Sequence, residues 1–167
     1  MNNFNEIKLF KAHEKCVNFL LLVHETKLIS GSVDRKIKLW SLKSFDLIQV
    51  FEGHLDTIYN LELNSKGCLV LSCSEDKTVK IWQTETGELL KSIEFDHPVN
   101  CTQLLNDQLL SVALENGHIV IFDLNKMEQI YFISAHLSYV YHLRFISNGN
   151  LLSGCGKGKI NLWKVLD

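Results

Sequence analysis

Residues 28–40 read LISGSVDRKIKLW and residues 70–82 read VLSCSEDKTVKIW. The phrase returns in weaker form as LLSVALENGHIVIF at 109–122 and as LLSGCGKGKINLW at 151–163. Its closing aromatics, Trp40, Trp82, Phe122 and Trp163, are spaced 42, 40 and 41 residues apart. A histidine preceded by a small or acidic residue keeps the same beat at His13, His54, His97 and His136, with spacings of 41, 43 and 39. Two landmarks in phase over four periods mark an internal repeat of about 41 residues.

Within a period, runs such as KIKLW and TVKIW alternate in side-chain direction between turn residues, which predicts short strands. The second period predicts strands near 57–63, 68–73, 78–83 and 89–95, separated by turns at 64–67, 74–77 and 84–87. No segment carries a sustained helical period. A sheet of four such strands is too small to stand alone, so both its faces must be covered by neighbouring repeats.

The 167 residues are 46% hydrophobic and 22% charged, enough for a packed core and against disorder. The formal charge of −2 supplies no basic field toward nucleic acid or an anionic membrane. No apolar run reaches the roughly 20 residues of a membrane helix. The opening MNNFNEIKLF lacks the layout of a secretory signal, so an intracellular address is expected, cytoplasmic or nuclear. The five cysteines, Cys16, Cys68, Cys73, Cys101 and Cys155, include no C-x-x-C pair and are expected as buried, reduced thiols. His24, His118 and His142 show no metal-ligand spacing, and no metal or cofactor is expected.

The repeat resembles the WD-repeat family, most closely in the first two periods, where Asp34 and Asp76 lie six residues before Trp40 and Trp82. The resemblance implies an all-β fold, a partial or small β-propeller of four four-stranded antiparallel blades. The blades are expected near 12–52, 53–95, 96–134 and 135–167, with Ile7–Lys11 as a lone outer strand. It also implies hydrogen-bonded tetrads of histidine, serine, aspartate and tryptophan. These would be His13, Ser30, Asp34 and Trp40, then His54, Ser72, Asp76 and Trp82. Degraded versions would be His97, Ser111, Glu115 and Phe122, with Asn116 beside Glu115, and His136, Ser153, Lys157 and Trp163. Such a set lets four buried polar groups satisfy one another.

Two apparent catalytic motifs dissolve on the same grounds. A Ser-His-Asp hydrolase needs an exposed nucleophile beside an oxyanion site, whereas the tetrad serine is expected to be buried against an indole. The stretch SGCGKGK at 153–159 lacks the spacing of a phosphate loop and aligns with the turn between second and third strands. No catalytic residue is assigned. The Asn100–Thr102 sequon is read as coincidence.

Family resemblance places partner contacts on the top face, just after each histidine and just before each turn aspartate. By position these are Cys16, Asn18 and Val33; Thr57, Tyr59 and Glu75; Pro98, Asn100 and Leu114; and Tyr139, Tyr141 and Gly156. Asn18, Tyr59, Glu75, Asn100, Tyr139 and Tyr141 are the candidates, the tyrosines first, because aromatic groups dominate protein interfaces. Charge is uneven: residues 1–43 carry net +4, residues 44–135 carry −9 and residues 136–167 carry +3. A basic partner segment would therefore favour the second and third blades.

The expected function is a non-catalytic scaffold or adaptor for other proteins or peptides. The alternative is a subunit of an RNA-processing or chromatin complex, without direct nucleic-acid or membrane contact. Four blades lie at the lower limit for a closed propeller. Pairing of two copies into a larger ring, docking on another propeller, or membership of a longer chain would each cover the end faces.

Overall fold

The computed structural model describes residues 5–147 and 149–164, so the last three residues of the expected fourth blade lie outside it. The described residues form fifteen strands and no helix. The first blade is β1 Val17–Val23, β2 Lys27–Ser32, β3 Ile37–Ser41 and β4 Leu47–Phe51. The second is β5 Ile58–Leu63, β6 Leu69–Ser74, β7 Thr78–Gln83 and β8 Leu89–Glu94. The third is β9 Val99–Leu104, β10 Leu109–Leu114, β11 His118–Asp123 and β12 Glu128–Ser134. The fourth has β13 Val140–Phe145, β14 Leu151–Cys155 and β15 Ile160–Trp163. Each sheet is antiparallel in chain order.

The turn between second and third strands is the local reason the register repeats. Arg35, Lys77, Gly117 and Gly158 occupy the same turn position, and each has positive φ. Val17, Ile58, Val99 and Val140 begin the inner strands opposite Ser32, Ser74, Leu114 and Cys155. From these anchors the inner three strands can be matched position by position across all four blades.

Packing follows from the counterparts. One face of each blade covers the opposite face of the next, and the three junctions are three apolar clusters. Ile29, Ile37, Leu39 and Phe51 of the first blade pack with Ile58, Leu61, Val70 and Trp82 of the second. Leu71, Cys73, Val79 and Ile81 meet Val99, Leu110, Val112 and Phe122 of the third. Ala113, Ile119 and Ile121 meet Val140, Leu143 and Leu151 of the fourth. A small residue, Gly31, Cys73, Ala113 or Gly154, recurs at one position of the covering face. A Cβ on Gly31 would lie 3.0 Å from Ile58 and 3.3 Å from Leu61, so the small side chain admits the next blade.

At the two ends the same positions are bare. Leu20, the counterpart of buried Leu61 and Leu143, is 60% exposed, and Leu162, the counterpart of buried Leu39 and Ile121, is 59% exposed. The expected lone strand at Ile7–Lys11 joins no ladder among the described residues. It is nevertheless placed, with the Phe10 ring 5.2 Å from Trp40 and 6.1 Å from Phe45. The five cysteines are free; Cys73 and Cys101 are buried, but Cys16 is exposed, because its position after His13 is a surface loop rather than core.

Gly31→Leu should cost about 1–3 kcal/mol, since the added carbons enter a filled junction. Urea unfolding measures this, and an unchanged midpoint would show that the first two blades are not packed as described.

Candidate interaction face and its buried polar networks

In the first blade the His13 Nδ1–H donates to Asp34 at 2.9 Å, and the Ser30 hydroxyl donates to His13 Nε2 at 2.7 Å. The Trp40 indole N–H donates to Ser30 Oγ at 2.9 Å. The second blade repeats this with His54–Asp76 at 2.7 Å, Ser72–His54 at 2.7 Å and Trp82–Ser72 at 2.8 Å. Ring tautomers follow from the partners: a carboxylate faces each Nδ1, the Thr78 hydroxyl near His54 Nδ1 already donates to Asp76, and the serine hydroxyl, filled by an indole N–H, is left to donate to Nε2. Burial pushes the Asp34 carboxyl upward, but the N–H groups of Glu14 and Lys36 and the His13 ring outweigh it and hold it below the ordinary range. Asp76 is depressed in the same way, with burial overcome by His54, the Thr78 hydroxyl and the Leu55 N–H. Burial lowers the His13 ring against the pull of Asp34. Ser30 and Ser72 are buried and occupied by indoles, so neither can approach a substrate.

The third blade departs from its expected tetrad at three of four positions. Phe122 pairs with Leu110 as Trp40 pairs with Leu28, which puts Val112, not Ser111, in register with Ser30 and Ser72. Ser111 faces the other side and donates to the Gln103 carbonyl at 3.1 Å. Asn116, not Glu115, holds the turn position of Asp34: its side-chain oxygen accepts from His118 N–H as Asp34 accepts from Lys36 N–H. His97 is exposed and away from the network. The loop before β9 is one residue shorter, and Phe95 takes the histidine's place, its N–H donating to the Lys77 carbonyl as His136 N–H donates to Gly117. Phe95, Val112 and Phe122 share one apolar cluster. Three polar members have been exchanged together for apolar ones, and Asn116 keeps a partner in the His118 N–H, which leaves no orphaned group.

In the fourth blade Ser153 donates to His136 at 2.7 Å and accepts from Trp163 at 2.8 Å. Lys157 stands at the aspartate position and cannot accept from the ring. Burial and the Lys159 ammonium lower the His136 ring.

On the top face the structure sorts the six candidates. The Asn18 carboxamide donates to the Ile58 carbonyl at 2.9 Å and Asn100 donates to Val140 at 3.2 Å, so both tie one blade to the next. At the same position of the other blades stand Tyr59 and Tyr141. Tyr59 donates its hydroxyl to Glu75 at 2.7 Å. Burial, that bond and the charges of Glu75, Glu115 and Asp56 raise the phenol well above its usual range. Glu115 N–H donates to Pro98 just as Glu75 N–H donates to Thr57, so Glu115, not Leu114, is the top-face counterpart of Glu75. Tyr139 and Tyr141 are half exposed and meet edge to face at 6.1 Å.

The WD domain, G-beta repeat model matches residues 4–41, 45–83 and 127–164, more than half of the chain. The chain belongs to the WD-repeat family. The unmatched third blade is the one whose network is apolar. The chain is 31% identical over 71% of its length to the probable coatomer subunit beta' of Schizosaccharomyces pombe, covering 15% of that protein. It is 31% identical over 71% of its length to eukaryotic translation initiation factor 3 subunit I of Debaryomyces hansenii, covering 36%. It is 28% identical over 94% of its length to ROOT INITIATION DEFECTIVE 3 of Arabidopsis thaliana, covering 41%. The chain thus spans less than half the length of these relatives. Among solved structures, the computationally designed Ika4 protein superposes with a TM-score of 0.84 at 22% identity, over 98% of this chain and 99% of that one. The WD40 β-propeller domain of Doa1 gives 0.83 at 21% identity, over 97% of this chain and 54% of that one.

The WD blades also bring together a row that no motif announced. Glu62, Gln103 and Arg144 sit at one position of successive inner strands, with Gln103 3.5 Å from both Glu62 and Arg144. Burial raises the Glu62 carboxyl to about 7, against the Leu104 N–H and the Arg144 charge, which lower it. As pH rises from the ordinary glutamate value of 4.5 toward 7, the unfolded chain ionises Glu62 while the folded chain keeps its proton. Stability is therefore lost across that window.

Two outcomes follow from these sites. Glu62→Gln should leave the melting temperature unchanged near pH 4 and raise it relative to the parent above pH 7; an equal shift at both would rule out the buried acid. Val112→Ser should lower stability by about 1–3 kcal/mol in denaturant titration, because its hydroxyl would meet no imidazole or indole. An unchanged midpoint would contradict that placement.

Proposed function

We propose that this WD-repeat chain is a non-catalytic scaffold that holds a basic segment of a partner protein across the top loops of its second and third blades. The observation that carries the reading is the Tyr59–Glu75 pair, flanked by the charges of Asp56 and Glu115. The phenol fixes one carboxylate in place, while Glu115 occupies the same position one blade on. Such an arrangement offers an aromatic surface rimmed by acid, suited to lysine or arginine side chains. Tyr139 and Tyr141 extend the aromatic surface toward the fourth blade. The tetrad serines are spoken for by imidazole and indole, which leaves the chain its surface rather than a reaction centre to work with. An intracellular setting, cytoplasmic in the first place and nuclear in the second, accords with relatives whose names place them in translation initiation.

A second reading, as a subunit of an RNA-processing or chromatin assembly, is favoured by the ribosome biogenesis protein BOP1 homolog of Drosophila erecta, 37% identical over 41% of this chain and covering 9% of that protein. Fluorescence anisotropy with an arginine- and lysine-rich peptide and with a single-stranded RNA of equal length separates the two. The scaffold reading expects peptide binding that weakens with salt and drops about tenfold in the Glu75→Gln, Glu115→Gln double variant. RNA binding without peptide binding would favour the second reading, and a double variant as tight as the parent would remove the assigned face.

A further inference from the structure

The two ends of the arc are the two halves of a junction that the chain builds three times inside itself. Val17, Leu20 and Leu22 on the first blade correspond to Ile58, Leu61 and Leu63 on the second, yet they are 43%, 60% and 59% exposed. Ile160 and Leu162 on the fourth blade correspond to Ile37 and Leu39 on the first, yet they are 76% and 59% exposed. Gly154 repeats the small residue that admits Ile58 and Leu61 at Gly31, but a Cβ on it would meet only His142, at 4.0 Å. The open face of the fourth blade is a concavity lined by Tyr141, Arg144, Leu152, Gly154 and Ile160. Lys38 on the first-blade face is no obstacle, because its counterpart Lys80 is buried inside a junction.

A second mismatch sits beside the first. Among the described residues β15 has no strand on its outer side, and the fourth blade is a three-stranded sheet. Residues 6–13, EIKLFKAH, match residues 47–54, LIQVFEGH, which form β4 and the loop to His54. The match is spatial as well. Phe51 of the first blade's outer strand packs on Trp82 of the second at 6.0 Å, and Phe10 packs on Trp40 at 5.2 Å. The segment thus lies where the outer strand of a preceding blade would lie, without that blade's other strands.

We infer that a second copy of this chain supplies them: β13, β14 and β15 of one copy slide beneath the N-terminal segment of the other, which becomes their fourth strand, and Leu20 and Leu22 are covered by Ile160 and Leu162. A twofold axis along the central channel makes two identical head-to-tail junctions and closes a ring of eight blades. Eight blades lie within the range of closed propellers. Intramolecular closure would instead bury Leu20 against Leu162 of the same chain, and both are exposed. The register follows from β3 and β4, where Ile37 faces Phe51 and Lys38 faces Val50. Ile160 would face Phe10 of the other copy, and Asn161 would face Leu9.

Light scattering on the chain should give twice the 19.2 kDa chain mass. Leu9→Cys with Asn161→Cys in one chain should form an intermolecular disulfide under mild oxidation that neither single variant forms, because paired strand positions fall within disulfide reach. Leu20→Glu and Leu162→Glu alter side chains exposed in the single chain, so each should keep the parent's circular dichroism while weakening association about a hundredfold. Mixing those two variants should restore a dimer through the one junction in which neither glutamate lies. A monomer at tens of micromolar, an open polymer, or a dimer that forms no disulfide and survives both glutamates would each overturn the inference.

Discussion

Everything in this protein depends on the burial of one blade face by the next. A four-stranded sheet of this size exposes two apolar faces and has too little surface of its own to fold around. The chain meets this by making the two faces different and complementary. One carries Ile29, Ile37 and Leu39 around a small residue, the other carries Ile58, Leu61 and Val70. Complementarity of unlike faces makes a stack directional. Because the contact is heterologous, the same surfaces that stabilise the middle leave a donor face and an acceptor face at the ends.

The buried polar networks act within that constraint rather than beside it. His54, Ser72, Asp76 and Trp82 join a loop, two strands and a turn through bonds of 2.7–2.8 Å, fixing how one sheet meets its neighbour. The third blade shows what the networks are not needed for. With Phe95, Val112 and Phe122 in place of the polar trio, the junction with the second blade is still closed and apolar. Removing one member of a buried set strands the others, whereas exchanging the whole set strands nothing. The fourth blade lies between these cases. It keeps the serine shared by imidazole and indole, and its missing acid leaves His136 partly open beside Lys157.

The period, the strands and the first two networks were legible because they are written as residue types at fixed spacing. The third network is obscured in the sequence because LLS at 109–111 resembles LIS at 28–30. Counting back ten residues from each closing aromatic gives Ser30, Ser72 and Ser153 but Val112, and counting back six gives Asp34, Asp76 and Lys157 but Asn116. The deleted loop residue before β9 explains why His97 kept the rhythm of the histidines without their place. Other features carry no such signal. That Asn18 and Asn100 reach across to the next blade, or that Glu62 is half-buried beside Gln103, depends on which side chains the blade stacking brings together. Ile7–Lys11 reads as a strand from its residues alone, yet a strand exists only beside a partner, and the segment joins no sheet among the described residues.

A fold held by face-to-face burial leaves its top loops free of structural duty, except where a side chain is drawn into the stack. The alternation at one top-face position makes the distinction visible. Asn18 and Asn100 are short enough to turn inward and bond the neighbouring backbone, and their amides are committed there. Tyr59 and Tyr141 have no such amide: Tyr59 rests partly buried against the junction of the second and third blades and holds Glu75 with its hydroxyl, while Tyr141 is half exposed. Holding a carboxylate in place does nothing for the interior of the second blade. It does reduce the freedom that the carboxylate would lose on meeting a cation, which lowers the entropic cost of binding. Rigid strands therefore carry a pre-oriented charge on loops that packing does not require, and that division of labour is what a docking platform needs.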